Sequence, residues 1–509
     1  MTARPIRATL LALAAVLVSI VPASAARLLD THVRAKHAVR ANCIAQRRSG
    51  PGVTTRRLIA ARTGYLTARL RGGAKGDWDL AVFARGQREP VAASAYRGSV
   101  EVASGFVTRG DRLVVQACRR SGRGRSVSMS VGVRRVPGAR ARASLVRVHA
   151  GPAALRGLHL DAAEHSGPGF ADVVLHGRRD ARKLARAGLK YTRVTAAAPD
   201  ASQAGALPGG SRTTYRRLAD YGAEMKALAR QNPDLVKPFT LAHPSWQGRP
   251  LEGLEITTEP NARDGKPVFL MLGLHHAREW PSGEFTLEWA YEMVKDFKTG
   301  DPRTTSLLAH ARVIIVPVVN PDGFNFSREA GQTNGHAGGD TGFDGSNAEY
   351  HRKNCRLGTC TVSGGVDINR NYGDRWGGEG GTDAATSETY RGPAPFSEPE
   401  AQDIRELISA RQVTTMITNH TYANEILRQP GAEDDFPTPD EAVYKQLGDA
   451  MGAEAGYESV ASYTLYAPND HVGTTDGWSY FTTGGLGYVF EAMSNAFHPP
   501  YAQVVQHYE

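Results

Sequence analysis

Alternation of apolar and polar residues marks the first part of the chain. Gly64-Tyr-Leu-Thr-Ala-Arg-Leu70, Trp78-Asp-Leu-Ala-Val-Phe83 and Arg112-Leu-Val-Val-Gln-Ala-Cys118 carry it, and Ser126 to Val133 repeats it. Period two is that of a strand with one buried face. Gly and polar turns separate these short segments, which predicts a small antiparallel β-sandwich over residues 27–137. Asp77 and Asp79 read as turn caps within it. Arg134 to Ala143, rich in Arg and Ala, reads as a linker.

The pattern then changes twice. Residues 144–196 read strand, helix, strand, helix, strand. The strands are Leu145–His149, Ala171–His176 and Leu189–Val194, and Arg178 to Ala187 is the clearest helix. This predicts a small α/β unit. Ala197 to Gly210, rich in Ala, Gly, Ser and Pro, is a second linker exposed to proteases. From residue 211 to 509, apolar runs alternate with amphipathic helices. Leu218, Tyr221, Met225 and Leu228 share one face of a helix over Tyr215 to Arg230, which Asn232-Pro233 stops. Ser397-Glu-Pro-Glu400 and Thr438-Pro-Asp-Glu441 read as capping boxes. The fold class expected here is α/β: a mainly parallel or mixed sheet with helices on both faces.

Candidate chemistry sits where apolar runs end. His275, His276 and Glu279 lie between the run Pro267–Leu272 and a helix over Ser282 to Phe297, striped by Phe285, Trp289, Met293 and Phe297. One turn of backbone there can aim an imidazole and a carboxylate at one point. The i, i+3 spacing favours His276 over His275 as the partner of Glu279. His420 follows Val413–Asn419, and Glu491 follows Leu486–Phe490. Groups beyond the carboxyl ends of parallel strands collect on one sheet edge. His276, Glu279 and His420 form a His₂Glu set suited to one catalytic Zn²⁺ with an open position, and Glu491 is the spare carboxylate for a general base.

Composition adds context. The net charge is +10, with arginine well in excess of lysine. No zinc-finger, RNA-recognition or helix-turn-helix pattern accompanies it, so a solvated cationic surface is expected and no nucleic-acid partner. Residues 1–26 read as a secretory signal peptide: Arg4 and Arg7, the apolar segment Leu10 to Val21, and Ala23-Ser24-Ala25 for cleavage. The expected product is a secreted, extracellular monomer with no membrane span. Four cysteines in an exported chain suggest two disulfides; three connectivities are open, and the local one pairs Cys43 with Cys118 and Cys355 with Cys360.

Taken with their motifs, residues 211–497 resemble the zinc carboxypeptidases of the pancreatic A/B type, the funnelins. The resemblance rests on His276-Ala-Arg-Glu279-Trp, Asn320-Pro-Asp-Gly323, Gly365-Val-Asp-Ile-Asn-Arg-Asn-Tyr372, Asn419-His-Thr-Tyr422 and Tyr488-Val-Phe-Glu491, in that order. It implies a metallocarboxypeptidase acting on peptides or proteins with a free C-terminal carboxylate. It implies Asn369 and Arg370 as the carboxylate clamp and Arg278 as a further substrate-binding arginine. For the oxyanion arginine it offers Arg356 first and Arg352 second, in Arg352-Lys-Asn-Cys-Arg356. Tyr466 is the nearest match to a tyrosine closing over the substrate. Counting back from Glu491 aligns Trp478 and puts Asp476 at the floor of the side-chain pocket, which implies a preference for C-terminal Lys or Arg. The β-sandwich resembles modules attached to secreted bacterial peptidases, and residues 144–196 resemble a prodomain in class and position. Alternatives are a funnelin acting on cell-wall peptides or as a deacylase, and an inactive surface-binding module.

Overall fold

The computed structural model describes residues 26–508 except 40–42, 74, 87–89, 139–141, 195–207, 211, 330–346, 466–470 and 494–495. The signal-peptide segment and most of the second linker therefore lie outside the described residues.

The alternating segments form two four-stranded antiparallel sheets. One runs Ala26–Arg34, Ser126–Arg134, Gly64–Arg71, Glu101–Val107 in spatial order, and the other Val53–Ile59, Arg112–Gly122, Gly76–Ala84, Pro90–Ser94. Their inward residues, among them Leu66, Trp78, Val115 and Met129, close one apolar core. Cys43 and Cys118 are joined, as are Cys355 and Cys360. The sandwich is fastened to the rest of the chain. Tyr65 packs edge-on against Phe326 at 5.4 Å. Buried Arg249 donates to Ser104 Oγ at 2.5 Å and pairs with Asp322 at 2.5 Å.

Residues 144–193 build a four-stranded antiparallel sheet in the order Asp161–Gly167, Phe170–Leu175, Ser144–Val148, Tyr191–Arg193, with one helix, Arg178–Arg186. The first expected helix is replaced by a short 3-10 turn, Pro152–Leu155, followed by the strand Asp161–Gly167. That strand's polar sequence, Asp-Ala-Ala-Glu-His-Ser-Gly, gave no periodic signal of its own.

The largest unit holds an eight-stranded mixed sheet. Its order is Val236–Thr240, Glu252–Ile256, Arg312–Val316, Val268–Leu272, Val413–Thr421, Leu486–Ala492, Glu425–Arg428, Glu458–Ala461. The middle four strands are parallel, and antiparallel pairs flank them. Both faces are buried, so these strands read as continuous apolar runs. Leu270, Leu272, Ile314 and Val316 face the helix Pro399–Ala410 through Ala401, Ile404 and Ile408. Met271, Val313 and Ile315 face the helices Leu218–Gln231 and Trp280–Thr299. Each fully buried Leu or Ile contributes about 2 kcal/mol. The expected capping boxes sit at helix starts, but the helices Pro399–Ala410 and Glu441–Ala455 begin after Glu398 and Asp440, neither with a side-chain cap bond. Among the described residues no helix is long and apolar enough to cross a membrane.

Candidate metal centre

A sharp corner carries the first two candidate ligands. The strand Val268–Leu272 ends at Gly273, where an added Cβ would lie 2.6 Å from Thr286 Oγ1 and 2.8 Å from Ser282 O. Leu274 follows with φ +53°, a conformation that non-glycine residues adopt only under tertiary constraint. Leu274 N donates to Ser282 Oγ at 3.0 Å, and Ser282 Oγ donates to Glu279 O at 2.6 Å. Ala277 N donates to Arg352 O at 2.8 Å, so the corner is tied to the loop that carries that arginine. The helix starts at Trp280 with proline in its first turn and ends at Gly300, φ +80°.

The corner resolves the histidine doublet. His275 points into the sheet interior, with Nδ1 3.0 Å from Thr418 Oγ1 and Nε2 2.9 Å from Thr475 Oγ1. Burial pushes its pKa well below the usual range, and the neighbouring His420 and His276 add to that, so it packs as a neutral ring. His276 turns the other way. Its Nδ1 lies 2.7 Å from Glu279 Oε1 and 3.1 Å from His420 Nδ1, and His420 Nδ1 is 2.9 Å from Glu279 Oε2. All three residues are buried.

The donor set suits a zinc ion. Tetrahedral ligands at bond lengths near 2.0–2.1 Å stand about 3.3 Å apart, close to these separations. Two imidazole nitrogens face each other across a carboxylate, an arrangement that a shared positive centre satisfies. His276 Nε2 lies 3.2 Å from Asp367 Oδ1, which fixes the ring and leaves Nδ1 free as a ligand. Asp367 is itself held by Asn369 N at 2.9 Å and Arg352 Nε at 3.1 Å. Burial opposes the charge on Glu279, but His276 and His420 outweigh it and hold the carboxyl well below the usual range.

Glu491 enters from the neighbouring strand. It is the direct parallel-register partner of His420, and its Oε2 is buried with no hydrogen-bond partner. Burial, then the carboxylates of Glu164 and Glu279, push its pKa well above the usual range, while Arg352 opposes this.

The other candidates separate into those near this centre and those away from it. Asn369 Oδ1 accepts from Thr475 N at 3.0 Å. Arg370 donates to Gly380 O at 3.1 Å and to Asn369 O at 2.8 Å, and it lines a cavity of about 330 Å³ together with Arg352 and Glu164. Arg278 is fully buried over the face of Phe497, 4.3 Å from its centroid. Of the two candidates for the oxyanion arginine, Arg356 turns outward over Trp246 and pairs with Glu398. Arg352 lies 3.8 Å from Glu279 Oε1 instead. The disulfide-closed loop after Asn354 carries Arg356 away, so the residue before Lys353 faces inward. Tyr466 lies outside the described residues. Asp476 is fully buried; Gln429 Nε2 donates to its Oδ2 at 2.5 Å, and Oδ1 has no partner.

Sequence reasoning missed four carboxylates. One is Asp367, inside a motif singled out for its neighbours; an acid two residues before Asn369 was the available signal. The others belong to the small unit. Asp161 Oδ2 accepts from Arg278 Nη1 at 2.6 Å, Glu164 Oε1 from Arg352 Nη1 at 2.7 Å, and Asp172 Oδ2 from Tyr422 OH at 3.0 Å.

A His₂Glu cluster at the carboxyl edge of a parallel sheet, with a buried spare glutamate beside it, defines the class of mononuclear metallohydrolases. The family model for zinc carboxypeptidases matches residues 221–509, and the chain belongs to that family. Carboxypeptidase A2 of Rattus norvegicus is 31% identical over 293 residues, covering 56% of this chain and 64% of the relative. Carboxypeptidase A2 of Mus musculus is 33% identical over 237 residues, 45% of this chain and 51% of the relative. The chain thus spans less than two thirds of these relatives. The crystal structure of carboxypeptidase A from Helicoverpa armigera superposes with a TM-score of 0.57 at 21% identity, over 72% of this chain and 93% of that one, a likeness of fold.

Proposed function

We propose that the protein is a zinc-dependent metallocarboxypeptidase that releases single residues from the C termini of peptides. The observation that carries this reading is the convergence of His276 Nδ1, His420 Nδ1 and the Glu279 carboxylate within 3.1 Å of one another, beside buried Glu491. Zinc, when bound, would supply Lewis acidity for the scissile carbonyl and the attacking water. Glu491 takes the proton of that water and passes it to the leaving amine; its raised pKa, set by burial first, suits both transfers. Arg352 offers its guanidinium to the developing oxyanion. Arg370, a forked donor, and Asn369 hold the terminal carboxylate. Asp476 at the pocket floor favours a C-terminal Lys or Arg. Two disulfides and the N-terminal apolar segment support export.

In the intact chain this cleft is covered. Arg278, Arg352 and Tyr422 are held by Asp161, Glu164 and Asp172, so the 144–196 unit acts as a prodomain whose carboxylates stand where substrate oxygens would bind. The test of the catalytic reading is Glu491→Gln. It should keep its zinc and its fold and lose about 10²–10⁴-fold in kcat. Near-full activity on a peptide would exclude the proposed role.

A further inference from the structure

Between the small unit and the catalytic unit lies a second cavity, of about 550 Å³. Asp161, His176 and Glu388 share its wall, and each offers one ligand atom within 4.8 Å of the others. Asp161 and His176 come from the small unit and Glu388 from the catalytic unit. None belongs to the His276–Glu279–His420 cluster.

Hydrogen bonding fixes the histidine. His176 Nδ1 lies 2.8 Å from Asn347 Oδ1, an atom that only accepts, so Nδ1 carries the proton. Its Nε2 then faces Asp161 Oδ2 at 2.9 Å. In the neutral ring these are two acceptors in contact; either a second proton, which burial opposes but Asp161 favours, or a metal ion answers them. A proton on Nε2 serves Asp161 Oδ2 alone. It leaves two buried oxygens, Asp161 Oδ1 and Glu388 Oε2, with no hydrogen-bond partner. Asp161 is only 6% exposed, and an unpartnered carboxylate oxygen at that depth is costly.

Nearby positive charge does not fill the gap. Arg278 Nη1 reaches Asp161 Oδ2, not Oδ1. Lys353 Nζ is occupied by the carbonyls of Ser363, Ala385 and Ser387 at 3.0, 3.1 and 2.6 Å. Lys183 on the rim pairs with Asp180 at 3.5 Å. Among the described residues Glu388 has no ion pair. One imidazole and two carboxylates form a mixed nitrogen and oxygen donor set of the kind zinc accepts. The His176 ring is held from its other nitrogen, as metal-bound histidines are, and the cavity provides an entry path.

We propose that Asp161, His176 and Glu388 form a second divalent-cation site, filled by zinc, that staples the small unit to the catalytic unit. The test counts ions. The intact chain is stripped with a chelator, reloaded with Zn²⁺, dialysed and analysed for metal. Competition with a chromophoric chelator measures each affinity. Wild type should hold two zinc ions. Glu388→Gln and His176→Gln, both close to isosteric, should each hold one, and His276→Ala should hold one, the staple ion. The reading that an imidazolium alone fills the site predicts one ion in wild type and in both staple variants, and none in His276→Ala. One ion in wild type, or any count other than one in Glu388→Gln and His176→Gln, overturns the proposal.

Discussion

Neutralising the carboxylates of the small unit should release activity from the intact chain, and the structure ranks the two that face arginines of the catalytic unit. In Glu164→Gln, Arg352 loses its partner at 2.7 Å but keeps Asp367 at 3.1 Å and Glu279 at 3.8 Å. The cost to the docked state then sits at the low end of the range for a broken buried charge pair, about 2 kcal/mol. In Asp161→Asn, Arg278 loses its ion pair at 2.6 Å and keeps the face of Phe497. Its Nε and Nη2 already lack partners, and His176 loses its carboxylate as well. That cost belongs at the upper end, about 4 kcal/mol. Both penalties fall on the docked state alone, because undocking returns the arginines to water. At about 1.4 kcal/mol per tenfold, the open fraction rises about 30-fold for Glu164→Gln and several hundredfold for Asp161→Asn. The assay is the initial rate of C-terminal residue release from a peptide several residues long, by uncleaved chain at fixed zinc. Wild-type rates in Asp161→Asn, or a larger gain in Glu164→Gln than in Asp161→Asn, would refute the clasp.

Arg352→Ala should lower kcat/KM by about 10²–10³-fold, as loss of an oxyanion donor does, whereas Arg356→Ala should leave it within about twofold; equal effects would reinstate Arg356. Asp476→Ala should reduce the ratio of kcat/KM for peptides ending in Arg to those ending in Leu by about 30-fold, the effect of about 2 kcal/mol of lost charge pairing; an unchanged ratio removes Asp476 from the pocket. Asp367→Asn should weaken zinc binding by about 10–100-fold in chelator competition, and wild-type affinity there would mean that His276 needs no outer partner.

The convergence of His276, Glu279, His420 and Glu491 was legible in the sequence because each follows an apolar run. A parallel sheet sends such ends to one edge, so position along the run already specified position in space. For the histidine doublet the i, i+3 spacing favoured His276, but how the two side chains part was hidden, because it depends on Leu274 at φ +53°. The different directions taken by Arg352 and Arg356 were hidden for a related reason. Both lie outside regular elements, where a disulfide closes a loop, and spacing carries no direction there. The strand Asp161–Gly167 was illegible because its buried side are charges that face another unit. Its pattern follows Arg278 and Arg352, residues far along the chain, and not a local period.

His420 and Glu491 sit opposite each other on adjacent parallel strands, about 4.8 Å apart by the pitch of the sheet. The distance from ligand to base is thus a backbone spacing and owes little to side-chain packing. The chain between those strands is free to vary: the strands Glu425–Arg428 and Glu458–Ala461 and the helix Glu441–Ala455 intervene. A single residue gained inside Val413–Asn419 or Leu486–Phe490 would turn one of the pair to the opposite face. For an engineer or for natural drift, substrate range is open to revision by loop exchange while the reaction centre tolerates no change of length.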